Sequence, residues 1–340
     1  MVIVMSTEAA QADVERVLAS LEEHGCHGEL TVGVERTIVT VVGPQAPELP
    51  QEMRTLPRVD SVVQLGKSYK LASKDPARAA SSVEIGSVCV SEGSLTIMAG
   101  PGAVEEGHDL EALAVSLRAQ GVSLLWGGAM RPGQSPYAFR GAGEEGLQRL
   151  AAAGEAAGLA VVSEVPSVAE VATIAPYVDV IEIGPFNMQN FGLLEAAAET
   201  GRAILLHRGL SATVDEWLLS AEHVLHAGNE QLVLCESGIR SYDSSTPATL
   251  DLSAIPVLKG LTHLPVLVDP ARGAGRADLV ERLALAAVAA GADGLAIEVH
   301  PAPSQALVDG AQSLALQQYG ELVQRLDLLA QALGRPLQCV

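Results

Sequence analysis

Residues 124–147 read LLWGGAMRPGQSPYAFRGAGEEGL, and the strand, loop and helix in this segment are the pattern from which we predict the fold. It begins as a short apolar strand, breaks into a loop rich in glycine and proline, and resumes as a helix near Gly143. The polar side chains of this loop include Arg131, Gln134, Tyr137 and Arg140. Barrel enzymes hold their substrates in loops that leave a rigid strand in this way, so the loop predicts a binding site.

The alternation of apolar strand, loop and helix continues along most of the chain. The strand candidates are Leu95–Met98, Val122–Leu125, Leu159–Ser163, Val178–Ile183, Ala203–Leu206, Leu232–Leu234, Val266–Val268 and Gly294–Val299. Strands that are apolar throughout imply a parallel sheet covered by helices, and eight such units over about 250 residues predict an α/β fold, the (β/α)8 TIM barrel. An open doubly wound sheet is the alternative, and the absence of a GxGxxG motif counts against it.

The start of the chain follows a different pattern. Residues 1–66 have the order β-α-β-β-α-β, which predicts a small ferredoxin-like α+β domain. Residues 67–82 are polar and are interpreted as a linker, and residues 83–340 form the predicted barrel with a final amphipathic helix.

Composition limits the classes of partner. Hydrophobic residues make up 48% of the 340 residues, which allows a large core, and the formal net charge of -20 argues against nucleic acid or an anionic membrane surface. The four cysteines are scattered without a CxxC pair, which is typical of a reducing cytoplasm. The sequence shows no signal peptide and no apolar stretch of about 18 residues that would span a membrane. We therefore expect a cytoplasmic protein that acts on a small, acidic molecule.

Polar side chains follow the predicted strands at the face where barrel enzymes place their chemistry. Guanidinium groups for a carboxylate or phosphate come from Arg131, Arg208, Arg240 and Arg272. Acid or base candidates are Glu164, Glu236, Asp269, Glu298 and His207. Any of them could instead form a buried structural ion pair, and His207 is favoured for function because imidazole titrates near neutral pH.

Several long runs of the sequence resemble one enzyme family, the 3-deoxy-D-arabino-heptulosonate 7-phosphate (DAHP) synthases that carry an N-terminal ferredoxin-like domain. The runs are SPYAFRGAGEEGL, NMQNFGLL, LLHRGLSATVDEWLLSAEHVLHAGNEQLVLCESGIR, TLDLSAIPVLKGLTHLPVLVDP, GADGLAIEVHPAP and ALVDGAQSL. The resemblance implies that the chain joins phosphoenolpyruvate to erythrose 4-phosphate with a divalent metal. It also implies a homodimer or homotetramer, and an aromatic amino acid as the ligand of the first domain.

The chain departs from that family at the positions that would do this work. Of the four metal ligands that the resemblance implies, Glu298 and Asp309 are present, whereas Gly102 replaces a cysteine and Arg272 replaces a histidine. Other substitutions at implied substrate positions are Trp126 and Phe186 for arginine, Gln134 for threonine, His207 for lysine and Ser237 for arginine. Two carboxylates beside an arginine would hold a divalent metal only weakly, so we expect no cofactor.

These departures favour a repurposed, metal-independent enzyme. Its substrate would be a small carboxylated molecule, cyclic or aromatic, of the shikimate or chorismate kind or from specialised metabolism, and its chemistry that of a lyase, an isomerase or a condensing enzyme. Substrate binding would fall to Trp126, Arg131, Gln134, Phe186, Arg240, Arg272 and Asp269, and proton transfer to His207, Glu236 and Glu298. The alternatives are a non-catalytic metabolite-binding or regulatory partner of aromatic biosynthesis, and a residual DAHP synthase.

Overall fold

The computed structural model describes residues 1–33, 36–43, 49–63, 68–74, 80–131 and 135–338. The chain divides into two compact units, Met1–Ser68 and Tyr69–Val340.

The first unit is a four-stranded antiparallel sheet with two helices. Its elements are β1 (Val2–Met5), α1 (Gln11–Glu23), β2 (His27–Val32), β3 (Thr37–Val42), α2 (Leu49–Thr55) and β4 (Val59–Val63). The strand order is β2-β3-β1-β4, and alternate residues of β1 and β3 point into a core with Val17 and Leu21 of α1. This arrangement is the predicted ferredoxin-like fold.

The second unit is a closed barrel of eight parallel strands within the described residues. A two-stranded hairpin, β5 (Val83–Ile85) and β6 (Val88–Val90), precedes it. The barrel strands are β7 (Thr96–Gly100), β8 (Leu124–Trp126), β9 (Ala160–Glu164), β10 (Val180–Ile183), β11 (Ala203–His207), β12 (Leu232–Glu236), β13 (Val266–Val268) and β14 (Gly294–Glu298).

Helices follow the strands around the outside of the barrel. They are α3 (Leu110–Ala119), α4 (Gly143–Ala157), α5 (Val168–Ile174), α6 (Phe191–Glu199), α7 (Val214–His226), α8 (Ala254–Leu261), α9 (Pro270–Ala274), α10 (Ala277–Ala289) and α11 (Leu316–Ala332). Short 3-10 turns occupy Ala175–Tyr177, Pro185–Asn187 and Pro303–Gln305. The predicted barrel is therefore confirmed. No helix in the described ranges is long and apolar enough to cross a membrane.

Helix α7 shows how the sequence ties a helix to the barrel wall. Thr213 and Glu216 form a reciprocal capping box at its first turn. One turn later the fully buried Trp217 donates its indole N–H to the Leu206 carbonyl, 3.2 Å away on β11. The cap sets where the helix begins, and the indole fixes its rotation against the strand.

Alternation along each strand separates the barrel interior from the layer under the helices. On β11, Ala203 and Leu205 pack inside the barrel, whereas Ile204 and Leu206 pack against the helices. The hairpin side chains Val83, Ile85, Val88 and Val90 join the interior cluster at the amino-terminal ends of the strands. This hairpin was not predicted from the sequence. Because it fills one end of the barrel, the open end is the carboxyl face, where the inward side chains become polar.

Part of the segment predicted as a linker is bound to the barrel. The backbone amides of Lys70, Leu71 and Ala72 each donate to the Glu222 carboxylate of α7 at 2.9 Å. Burial alone would raise the pKa of Glu222, yet these three amides hold that pKa below its ordinary value.

Two glycines provide a test of how closely the barrel is packed. A Cβ at Gly100 would lie 1.8 Å from the Trp126 carbonyl oxygen on the neighbouring strand, whereas a Cβ at Gly192, on α6, would meet nothing within 4 Å. We expect Gly100→Ala to destabilise the barrel by roughly 3 kcal/mol or more, because backbone must move to relieve the clash. Gly192→Ala should be neutral or stabilising by up to about 1 kcal/mol. Urea unfolding followed by tryptophan fluorescence measures both; similar midpoints for the two variants would contradict the packing of β7 on β8.

Candidate active site

A ring of polar side chains lines the barrel interior at the carboxyl ends of the strands. Its members, all buried and all at inward positions of their strands or just after them, are Trp126, Glu164, Glu182, His207, Asp269 and Glu298. Each lies two residues beyond an inward apolar side chain, as Glu182 does after Val180. The strand period therefore brings four carboxyl groups into one enclosed space.

Glu182 is the centre of this ring. The Trp126 indole N–H donates to its Oε2 at 2.6 Å, His207 Nε2 lies 3.0 Å from its Oε1, and Arg272 Nη2 lies 3.7 Å from the same oxygen. Burial alone would raise the pKa of Glu182, but these three neighbours outweigh it and hold that pKa at about 2. Glu182 is thus a permanent anion that fixes the side chains around it.

His207 is enclosed by two polar groups. Its Nε2 faces Glu182, and its Nδ1, on the other side of the imidazole, lies 3.2 Å from the Ser237 hydroxyl. Both residues are fully buried. An imidazole held between a carboxylate and a hydroxyl has a fixed ring orientation, which is what a proton-transfer group needs.

Arg272 brings a cation to the mouth of the barrel. Its Nε lies 3.7 Å from Asp269 Oδ2, and its guanidinium carbon lies 6.0 Å from the Trp126 ring centroid. Asp269 also accepts the Arg272 backbone N–H at 2.8 Å, which caps the short helix α9 and fixes the start of the side chain. The Arg272 side chain keeps 18% exposure, so a solute entering the barrel can reach it.

Arg131, Asp309 and Glu298 form a second ionic cluster at the mouth of the barrel. Arg131 donates through Nη1 to the Gly102 carbonyl and through Nη2 to Asp309 Oδ2, both at 2.7 Å. Beside it, Glu298 accepts a hydrogen bond from the side-chain amide of Gln312 at 2.8 Å. Burial, reinforced by the Asp309 and Asp269 carboxylates, raises the pKa of Glu298 to about 8. At neutral pH this cluster therefore contains a neutral acid next to an ion pair.

Glu164 differs from Glu182 although both sit on neighbouring strands. Burial raises the pKa of Glu164 to about 7, and the permanent charge on Glu182 adds to the effect. A carboxyl group with a pKa near neutrality can either hold or accept a proton under physiological conditions, so Glu164 is a candidate acid or base.

Some residues predicted to act in the site lie elsewhere. Glu236 is at a position of β12 whose side chain points away from the barrel interior. Its carboxylate accepts hydrogen bonds from Arg208 at 3.0 Å and from the Gly238 backbone N–H at 2.8 Å. Arg208 also binds Asp251 at 3.0 Å. Glu236 and Arg208 therefore form a structural pair outside the ring, because alternation turns them away from the barrel axis.

The two predicted aromatic contacts also differ from expectation. Phe186 is 57% exposed in a 3-10 turn and does not form part of the barrel floor, while Trp126 is buried with its indole N–H already bonded.

Arg240 is exposed after β12, and Gln134 lies outside the described residues. Of the predicted residues, the ring contains Trp126, Glu164, His207, Asp269 and Glu298, and Arg272 lies beside it, in contact with Asp269 and Glu182.

Sequence reasoning missed Glu182. Its signal was present, because a single charged residue in the apolar run VIEI, two residues from an inward valine, must face the barrel interior.

A further group that could hold a metal ion lies beside the ring. Glu105, His108 and His300 place ligand-type atoms within 4.8 Å of one another. The Ala302 backbone N–H donates to His300 Nδ1 at 3.1 Å, so Nδ1 is unprotonated and Nε2 carries the ring proton, 3.5 Å from Glu105. His300 would have to exchange that hydrogen bond before it could bind a metal through Nε2.

Comparison with known families identifies the barrel. A pattern described as "DAHP synthetase I family" matches residues 76–332, and one described as "DAHP synthase ferredoxin-like domain" matches residues 1–67. The chain belongs to the DAHP synthetase I family. The resemblance found in the sequence is therefore confirmed.

Relatives of this family match most or nearly all of the chain. Phospho-2-dehydro-3-deoxyheptonate aldolase of Thermotoga maritima is 40% identical over 334 residues, which is 98% of this chain and 99% of the relative. A crystal structure of that aldolase superposes with a TM-score of 0.94 at 39% identity and covers 99% of both chains. A 2-dehydro-3-deoxyphosphooctonate aldolase from a Geobacter species is 31% identical, over 72% of this chain and 95% of its own.

This similarity contradicts the hypothesis of a repurposed enzyme with an unrelated cyclic or aromatic substrate. A match that extends over both domains at 40% identity favours the activity of the DAHP synthases, which was only an alternative prediction from the sequence. Membership of the family also makes a divalent metal a candidate cofactor, so the comparisons do not support the expectation that the chain uses none.

A divalent ion at the family's metal position would need several side-chain ligands with free donor atoms. Glu298 and Asp309 supply carboxyl oxygens, but Asp309 is already bound by the Arg131 guanidinium and Gly102 has no side-chain ligand. Arg272 supplies a positive charge where an imidazole would be needed. These residues do not fit a divalent metal in the arrangement observed.

The pKa of Glu164 leads to a prediction about stability. Because the folded-state pKa is raised to about 7, from about 4.3 in an unfolded chain, protonated Glu164 favours the fold and its contribution is lost as pH rises between those values. With Glu164 present, the free energy of unfolding should fall between pH 5 and 7, by at most about 1.4 kcal/mol per pH unit from this one group. Glu164→Gln should remove that part of the fall. Urea unfolding across this range measures it, with Glu145→Gln, exposed on α4, as the matched control. Parallel curves for wild type and Glu164→Gln would show that Glu164 is charged in the barrel at pH 5.

Proposed function

We propose that the chain catalyses the reaction of a phospho-2-dehydro-3-deoxyheptonate aldolase, joining phosphoenolpyruvate to erythrose 4-phosphate. The observation that carries the proposal is the similarity to the Thermotoga maritima enzyme of that name over 98% of the chain, through both domains. Three carbons of the first substrate and four of the second make the seven-carbon skeleton of the heptonate. The product carries one phosphate, so the reaction consumes one water and releases the other phosphate as inorganic phosphate.

The charges at the barrel mouth support anionic substrates. The protein carries a formal net charge of -20, yet the mouth presents the guanidinium groups of Arg131 and Arg272, and Arg240 is exposed after β12. Guanidinium groups bind phosphate and carboxylate through paired, charge-assisted hydrogen bonds. In the proposal Arg272 binds an acidic group of phosphoenolpyruvate, and Arg240 assists at the outer edge.

The raised pKa values support the proton transfers that the condensation needs. Formation of the carbon–carbon bond converts the aldehyde oxygen of erythrose 4-phosphate into a hydroxyl group, which takes up a proton. Glu298 and Glu164, with pKa values of about 8 and about 7, are the carboxyl groups in the ring that can supply one near neutral pH. We assign this role to Glu298 and assign His207 to orient the attacking water, since Glu182 and Ser237 fix its ring.

No step of this proposal uses a metal, because the residues at the family's metal position do not fit one. Trp126 and Asp269 act in it through Glu182 and Arg272, which they hold in place. The homodimer or homotetramer and the amino-acid ligand of the first domain, both implied by the resemblance, are part of the proposal. The oligomer can be measured by light scattering and the ligand by calorimetry.

The proposal is tested by following phosphoenolpyruvate consumption and phosphate release, with and without erythrose 4-phosphate. We expect equal amounts of both, only when erythrose 4-phosphate is present. Arg272→Met should raise the KM for phosphoenolpyruvate about 10- to 100-fold, because it removes charge-assisted hydrogen bonds worth roughly 1.5–3 kcal/mol.

Arg276→Met is the matched control. Arg276 lies four residues further on, is paired with Asp278 at the surface, and should leave the KM unchanged. Absence of phosphate release by the wild-type protein, both in chelator and with added Mn²⁺, would contradict the proposed function.

A further inference from the structure

We infer that the Arg131 guanidinium, bound to Asp309 of the carboxyl pair Glu298 and Asp309, is a built-in cation that keeps divalent metals from binding at this pair. The inference concerns binding alone, so it holds or fails independently of the proposed reaction.

The contacts of Arg131 are those of a fixed ion. Its two terminal nitrogens bind the Gly102 carbonyl and Asp309 Oδ2, both at 2.7 Å, and its side chain is only 18% exposed. A divalent cation bound to the same Oδ2 would lie within a few ångströms of the guanidinium carbon. In a partly buried site such like-charge contact is strongly unfavourable, so the two cations exclude one another.

Glycine at position 102 is what gives the guanidinium its place. A Cβ added to Gly102 would lie 3.2 Å from Glu298 Oε2 and 3.4 Å from Asp309 Oδ2, so any side chain there would point at both carboxyl groups. With glycine, this position supplies no side-chain ligand atom, and its backbone carbonyl accepts from Arg131. Glycine therefore removes a side-chain metal donor and leaves the space beside the two carboxyl groups free for the guanidinium.

Gly128 keeps the path of the Arg131 side chain open. A Cβ at Gly128 would lie 2.7 Å from Arg131 Cδ and 2.7 Å from the Gly102 carbonyl oxygen. The arginine thus passes between two glycines to reach Asp309.

The backbone on the other side is shaped for the same contact. Asp309 has a φ of 55°, in the left-handed region. Its carbonyl oxygen accepts from the Ser313 hydroxyl at 3.0 Å and from the Gln312 backbone N–H at 3.1 Å. Its carboxylate is therefore presented to Arg131 by an ordered turn, and the ion pair has both partners in fixed positions.

The inference is tested with Mn²⁺ as the probe, by equilibrium dialysis and by electron paramagnetic resonance of the full chain. Binding at the carboxyl pair is defined as the part of the signal that Asp309→Asn abolishes, which separates it from the Glu105, His108 and His300 group. We expect no such part in the wild-type protein. Arg131→Met should bind Mn²⁺ at the carboxyl pair at least tenfold more tightly than the wild-type protein does. Adding Asp309→Asn to that variant should remove the gain.

Two further variants keep the test decisive. Arg131→Gln retains a hydrogen-bond donor for the Gly102 carbonyl without the charge, so it should gain binding even if Arg131→Met folds poorly. Arg140→Met, an exposed arginine after the same loop, should behave as the wild type. Wild-type Mn²⁺ binding that Asp309→Asn abolishes would overturn the inference, and so would the absence of a gain in a folded Arg131→Gln protein.

Discussion

Carboxyl groups enclosed in a barrel interior must be neutralised by a proton or by a neighbouring cation, and this constraint shapes the mouth of the barrel. Four acids of the ring, Glu164, Glu182, Asp269 and Glu298, have lost most contact with water. An unpaired buried charge is costly enough that such a group either binds a cation or remains protonated. The positions of Arg272, His207 and Arg131 follow from that requirement.

The outcome differs from one acid to the next because the cations are shared unequally. Glu182 has Trp126, His207 and Arg272 around it and keeps its charge, with a pKa of about 2. Glu298 has a neutral amide as its hydrogen-bond donor and two acids nearby, and its pKa is raised to about 8. One residue type thus provides both a permanent anion and a proton donor within one ring.

The comparison with the DAHP synthases shows how differently scaffold and site can change. The chain follows the Thermotoga maritima aldolase over 99% of its length with a TM-score of 0.94, while Gly102, Arg131 and Arg272 present two guanidinium groups and no thiolate or imidazole at the metal position. The scaffold depends on apolar alternation and packing, which tolerate many substitutions. Charge at the mouth depends on a few side chains, so those few determine whether a metal or a guanidinium serves as the cation.

Apolar periodicity and the residues at strand ends are local properties of the chain, and they sufficed to predict the ferredoxin-like unit and the eight-stranded barrel, although not the hairpin of β5 and β6. They also indicated that His207, Glu298, Asp269 and Arg272 meet at one face. Which groups pair follows from the folded chain alone. Glu236 and Arg208 turn outward by strand parity, Glu182 turns inward, and Arg131 reaches Asp309 from 178 residues away in the chain. Such pairing is set by side-chain direction and distance in the closed barrel, which no local pattern of residues records.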